Sequence, residues 1–420
     1  MPTSYDPNHP NEKEVPLPNA PREALSKSYM ELQPPLSRRG HGPGIISFLA
    51  PPPPECSTPA ETLDPEPVLK WSEEGYAVVA IKSDVPKKDI KKALETGVEA
   101  LKAHKDVDIK DKFAVFVYNP EILESVSSAV SGFPICLLAS YCGAVPKSSC
   151  TVPVVEHIFP AANSMNMEDA LACPIPDPDF NPMTETRRSY HYATPSRSPF
   201  SCLPHYPEEV YDHSAAALSH TRTLTFLKQK IGGPWYDLER IWEEHTWYEF
   251  VGRSVAQTMG TMVAEPYVNH VPTMIGGTGR KNLTVFYRDH FIFANPPDSK
   301  LEVASRTVGI DRIIDEFVFV CHHTTVFEWL LPGVPPTGKD LRIPCIAVVC
   351  IRGDRLYHEH IWWDQGTAMR QAGILPEYVP YSNGKRLRLP AGGVETAHKL
   401  LNENMKCNSM LEDDWGVQYA

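Results

Sequence analysis

The chain has 420 residues and a mass of 47.0 kDa, more than one ordinary core needs, so two domains with tails are expected. Forty basic side chains against 52 acidic ones leave a formal charge of −12, which argues against a nucleic-acid partner, since that needs a clustered basic face. No run approaches the roughly 18 apolar residues of a membrane span, and the opening Met1-Pro-Thr-Ser-Tyr-Asp6 lacks the basic-then-apolar order of a secretion signal. The ten cysteines include no Cys-x-x-Cys pair, so reduced thiols and a cytoplasmic location are expected.

Residues 1–40 are polar and rich in proline, and read as an extended arm. Ile45–Ala50 is a short apolar run closed by Pro51–Pro54, and Tyr76–Ile81, Phe113–Tyr118 and Phe133–Ala139 are further strands. Between them Lys87–His104 places Ile90, Leu94, Val98 and Leu101 at helical spacing. Alternation of this kind predicts a parallel sheet over 41–232, with a proline-laden stretch at 146–207 and a closing helix over Tyr211–Lys230. From Gly233 the order changes. One long helix is predicted over Leu238–Met262 and another over Gly279–Phe291. Four strands then follow without helices between them, at Leu301–Val308, Ile313–His322, Arg342–Ile351 and Arg355–Asp364. That is an α+β domain over 233–377, and 378–420 reads as a polar tail with a weak helix at Val394–Glu403.

The first domain holds no Gly-x-Ser-x-Gly elbow, because Tyr118 is followed by Asn119-Pro120 without the glycines of that turn. Ser140-Tyr-Cys142-Gly143 lacks the leading glycine, so Cys142 reads as a buried structural thiol. The second domain is richer. Arg355-Leu-Tyr-His-Glu-His-Ile-Trp-Trp-Asp364 places His358, His360, Trp362 and Asp364 on one face of a strand, and Glu359, Ile361 and Trp363 on the other. Two histidines beside a carboxylate could ligate a metal, but the spacing departs from a metal motif by one residue and has no second half, so no metal and no cofactor are expected. A His–Asp pair among tryptophans suits acid–base chemistry instead, since burial raises a carboxylate's pKa.

Taken together, Tyr267-Val-Asn-His270, Gly333-x-Pro-Pro-Thr-Gly338 and the segment Leu356–Asp364 followed by Gln371 and Gly373 resemble the SnoaL-like polyketide cyclases. The resemblance covers about Asp237–Leu375 and implies a cone-shaped α+β domain of the nuclear transport factor two-like type. It carries the family's acid/base aspartate onto Asp364, with His360 and His270 as catalytic partners. Tyr248, His245, Tyr287, His290, Glu316, His323 and Trp362 are expected to line the substrate site. The family often dimerises through the outer face of the sheet, which implies a homodimer using Trp363, Ile361 and Cys350. Residues 40–233 resemble a dienelactone hydrolase, through Trp71–Ile81 and Tyr211–Leu227, as an incomplete α/β-hydrolase-like sheet without a nucleophile. His191 and His205 lie near that family's histidine, but neither sits in its motif.

The expectation is therefore a small-molecule enzyme that moves a proton in the C-terminal cone, on a small apolar oxygenated substrate, by cyclisation, isomerisation or dehydration. A lactone or ester hydrolase and a non-catalytic scaffold are the alternatives.

Overall fold

Short runs of β-branched and aromatic residues make the frame of the first unit, which the computed structural model places at residues 18–236. The structure describes residues 4–419 except 26, 56, 149, 160–180, 182, 183, 193, 195 and 414. Strands β1 (Glu23–Ala24), β2 (Met30–Gln33), β3 (Gly44–Phe48), β4 (Ala77–Ile81), β5 (Phe113–Val117), β6 (Ile135–Ser140), β7 (Val154–Ile158) and β8 (Arg187–His191) form one sheet in the order β1-β2-β4-β3-β5-β6-β7-β8. From β4 to β8 in that order the pairs are parallel, whereas β1 and β2 run antiparallel at one edge. Helices α1 (Pro67–Glu73), α2 (Ile90–Ala103), α3 (Leu123–Ala129) and α4 (His213–Ile231) separate the strands. Every residue of β3, β4 and β5 is buried, as expected for parallel strands covered on both faces.

Two expectations change here. Residues 18–40 are part of this unit, because Met30 and Leu32 insert into its core from β2, while residues 1–17 belong to the other unit. The proline-laden stretch contributes β7 and β8, which extend the parallel sheet. Its central part, 160–180, lies outside the described residues.

The second unit comprises residues 1–17 and 237–420. The long helix expected over Leu238–Met262 is two helices, α5 (Leu238–Phe250) and α6 (Val255–Gly260). They part at Gly252-Arg253, where Arg253 takes φ 44°, and Ser254 caps α6 by accepting from Gln257 N. Met262, expected to end a helix, instead opens β9 (Met262–His270), which pairs with β10 (Ile275–Thr278). After α7 (Gly279–Phe286) and one π-helical turn over Tyr287–Phe291 come β11 (Lys300–Val308), β12 (Arg312–His322), β13 (Asp340–Arg352) and β14 (Arg355–Trp363).

These six strands order as β10-β9-β14-β13-β12-β11, with only β14 and β9 parallel. Register breaks at Val303/Ser305 and Cys350/Ile351 bend the strands, and α5 packs across the sheet against β12 and β14. Helix α8 (Gln365–Gln371) follows β14, and residues 378–420 are not a plain tail. They hold α9 (Glu395–Leu401) and a small sheet of β15 (Tyr378–Pro380), β16 (Lys385–Arg388) and β17 (Val417–Tyr419).

Alternation along β14 is as the sequence predicts, but the inner face is the one carrying Glu359, Ile361 and Trp363. Ile361 and Trp363 therefore do not supply an outer surface, and Cys350 is buried too. The exposed apolar side chains across β12–β14 are Ile314, Ile346 and Trp362.

Candidate functional site

The register of the sheet aligns the inner-face side chains into one wall. Glu359 stands beside Val268 and Ile361 beside His270, while Ala347 pairs with both Ile361 and Asp315, and Val303 with Phe317. Opposite them α5 presents Trp242, His245 and Glu249, whose spacing of three and four puts them on one helix face. The π-helical turn adds Tyr287 and Phe291. Between these walls lies a cavity of about 290 Å³. Its wall is mainly apolar and aromatic, and reaches the surface at Glu243 and Val303, both exposed.

One end of the cavity is charged. His245 is fully buried, and its Nε2 lies 3.1 Å from Oε1 of Glu249 and 3.1 Å from Oε1 of Glu359, two carboxylates that are themselves almost wholly buried. Thr261 Oγ1 donates to the carbonyl of Thr258 at 2.7 Å, so it must accept from His245 Nδ1 at 2.6 Å. With Nδ1–H committed there, Nε2 and two carboxylate oxygens converge, and at least one proton has to sit among them. Burial opposes charge on His245, but the carboxylates of Glu249 and Glu359 outweigh it and raise its pKa to about 10. Burial raises the pKa of Glu249, with the His245 charge acting against that shift. Tyr287 donates its hydroxyl to Glu359 Oε1 at 3.3 Å and lies 3.3 Å from His245 Nε2; burial and then the carboxylates push its pKa well up. Nε2 and the two carboxylates also lie within 4.8 Å of one another, a donor set of the kind that could hold a divalent cation.

His270 closes the apolar side. Its Nδ1 donates to the carbonyl of Ile275 at 3.0 Å, and burial lowers its pKa to about 4, so it is a neutral imidazole among Phe286, Phe291, Trp329 and Trp363. At the other polar end Asp315 accepts from Trp242 Nε1 at 2.9 Å and from Arg306 through both carboxylate oxygens, at 2.7 and 2.8 Å. Arg306 Nη1 also reaches Glu239 and Glu243.

Of the side chains expected at the site, His270 and Tyr287 line the cavity, and His245 stands behind its charged end against Glu249, Glu359 and Tyr287. The others do neither. Asp364 is exposed and caps α8, accepting from Gly366 N, Thr367 N and Thr367 Oγ1. Gln371 clamps the same helix to β13 through both backbone groups of Arg342, and Gly373 follows with φ 77°. The segment that most strongly suggested chemistry is thus punctuation for one helix. His360 and Trp362 are on the outer face, where His360 stacks on His358 with centroids 4.7 Å apart, and burial lowers the pKa of both histidines.

Tyr248 packs edge-on against Trp247, and Glu316 accepts from Ser305 at 3.0 Å. His290 is exposed and pairs with Glu328, and His323 is buried against Thr337. Sequence reasoning missed Glu249, Glu359 and Arg306, whereas Asp315 stands out in the sequence only as part of the acidic pair Asp315-Glu316. The signal available for Glu359 was a lone carboxylate on an otherwise apolar strand face, and for Glu249 its place one turn beyond His245.

In the first unit the corner beyond β5 is closed by packing. Trp71 Nε1 donates to the Tyr118 hydroxyl at 3.0 Å, and Tyr118 stacks on Tyr141 at 4.5 Å. The space left there is about 20 Å³, room for a water. Cys142 is buried, with its thiol pushed up to about 12 by burial. His191, at the end of β8, is exposed, and His205 rests on Tyr206.

No protein-family model matches the chain, and no curated protein does. Among solved structures, a protein described as a polyketide cyclase from Acidithiobacillus ferrooxidans is 17% identical, with 33% of this chain and 95% of that one covered, at a TM-score of 0.27. One described as a SnoaL-like polyketide cyclase from Shewanella putrefaciens is 10% identical over 34% of this chain and 90% of that one, at 0.29. An NTF2-like protein of unknown function from Burkholderia xenovorans is 12% identical over 30% and 82%, at 0.23. Likenesses this distant do not define the chemistry of the cavity.

Proposed function

We propose that the second unit is an acid–base catalyst that moves a proton on a small, largely apolar oxygenated molecule held in the cavity of Glu249 and Glu359. The observation that carries this reading is the convergence of two buried carboxylates, one imidazole and one phenol on the wall of an apolar space. Burial raises the pKa of Glu249, the direction that favours a carboxyl able to hold and release a proton. His245 holds both carboxylates in place and balances part of their charge. When substrate binds, Tyr287 turns its one O–H from Glu359 Oε1 to the oxygen of a substrate carbonyl, where charge develops as a neighbouring proton leaves. The aromatic walls exclude water and strengthen these interactions. Cyclisation, isomerisation and dehydration can each begin with such a transfer.

The test is turnover of a panel of β-hydroxy ketones, enones and enol-lactones by the full chain. Glu249→Gln should lower kcat by about 10²–10⁴, the usual span for loss of a general acid or base, and Tyr287→Phe by about tenfold or more. Turnover unchanged in both variants rejects the reading.

The hydrolase-like character of the first unit enters this proposal as a scaffold. Its strand–helix alternation supports the likeness, but Tyr118 and Tyr141 fill the corner where a nucleophile would stand. A serine- or cysteine-directed covalent probe should leave the mass of the chain unchanged over residues 18–236.

A further inference from the structure

The charges around the cavity do not balance, and much of its wall is aromatic. Four carboxylates line it: Glu243, Glu249, Asp315 and Glu359. Arg306 is the one arginine or lysine among the described lining residues, and counting His245 as a second cation leaves 2 − 4 = −2 with all four carboxylates ionised, or 2 − 3 = −1 when Glu249 holds a proton. The Arg306 charge is already engaged by Asp315, Glu239 and Glu243 together, so it offers little to an incoming anion. Trp242, Phe250, Phe291, Phe317, Phe319 and Trp329 supply the walls. A ring face is the negative end of its quadrupole, so a cation that settles over one of these rings adds to the bias that the carboxylates set. Glu243, exposed at the mouth, attracts the same sign of ligand from solution.

We infer that the ligand of this cavity carries a positive charge on a nitrogen substituted with apolar groups, a tertiary or quaternary ammonium. The substituents face the aromatic walls, and the cationic nitrogen lies within reach of Glu249 and Glu359. This deepens the acid–base reading by naming the substrate class for the same cavity. A cation in that place also explains how two carboxylates can be buried beside one imidazole: the ligand supplies the missing positive charge. The same charge count disfavours an anionic or phosphorylated substrate, and a neutral one gains no charge attraction.

The experiment compares ligands of equal shape and different charge on the full chain. Choline and 3,3-dimethylbutan-1-ol differ by one nitrogen for one carbon. Trp242 and Trp329 line the cavity and report binding through their fluorescence, with calorimetry as the second measurement. Tetramethylammonium and benzyltrimethylammonium extend the series in size. The cation should bind at least about tenfold more tightly than its neutral isostere, the scale of a desolvated cation–π contact. Glu243→Gln, at the exposed mouth, should narrow that ratio while the chain stays folded. An isostere that binds as tightly as its cation overturns the inference, as does failure of every cation to bind at millimolar concentration. Either result leaves the proton-transfer proposal standing, because that is read from turnover of neutral ketones.

Discussion

Asp364 accepts two backbone N–H groups and one hydroxyl at the start of α8, so Asp364→Ala should cost about 1 kcal/mol of stability, the usual worth of an N-cap. Denaturant unfolding measures that loss, and turnover per folded molecule should stay at the wild-type level. His245 leads to a prediction about pH. Its ordinary value near 6.5 is raised to about 10 in the fold, so the stability it contributes is complete below about pH 6.5 and is lost as pH climbs through about 10. Glu249 is raised as well, which means its proton is held more tightly in the folded chain, and its effect has the same sign. Unfolding free energy should therefore fall between pH 6.5 and 10, and His245→Gln should flatten that slope. A slope of the opposite sign would contradict the charged imidazole. His270, Tyr287 and His245 were legible in the sequence because aromatic and imidazole side chains are scarce and clustered there. Asp364 was misread because spacing along a chain does not distinguish a helix cap from an acid.

At the scale of elements, β14 explains both the success and the miss. Its alternation can be read directly from Arg355–Asp364, and the structure keeps it. What alternation cannot tell is which face is inner, because both faces of this strand mix aromatic and polar groups. The inner face is fixed by long-range pairing, with Ala347 of β13 beside Ile361 and Val268 of β9 beside Glu359. β9 itself was hidden, since Met262–His270 continues the apolar pattern of the helices before it. The break between α5 and α6 turns on Ser254, which caps α6 and bonds Thr258 Oγ1 through its carbonyl. Ser254→Ala should destabilise the second unit by about 1 kcal/mol, seen as a lower midpoint in denaturant. The break lets α5 end with Glu249 at the cavity, so the same variant should also weaken turnover.

Over the whole molecule, residues 1–17 belong to the second unit, which holds the cavity. Glu12 accepts from the backbone N–H groups of Val255 and Ala256, Asn11 accepts from Ser254 Oγ, and the Val15 side chain packs against Gly260. Deleting residues 1–17 should lower the thermal midpoint of the second unit by several degrees, since losing about 1–2 kcal/mol shifts the midpoint of a domain of this size by roughly 2–8 °C. No helix among the described residues is long and apolar enough to cross a membrane. The division into an alternating half and an α+β half followed from the order of elements in the sequence. The assignment of residues 1–40 did not, because which core an extended strand joins depends on the partner strand and not on its own composition.

The central claim is that Glu249 and Glu359, and not Asp364, move the proton. Exchange of α-protons for deuterium in small ketones and β-hydroxy ketones, followed by NMR, tests it most directly, since it needs no knowledge of the natural product. Wild type and Asp364→Asn should exchange at equal rates above the buffer background, and Glu249→Gln should fall by at least about tenfold. Loss of exchange in Asp364→Asn with full exchange in Glu249→Gln would contradict the account and place the chemistry at the helix cap.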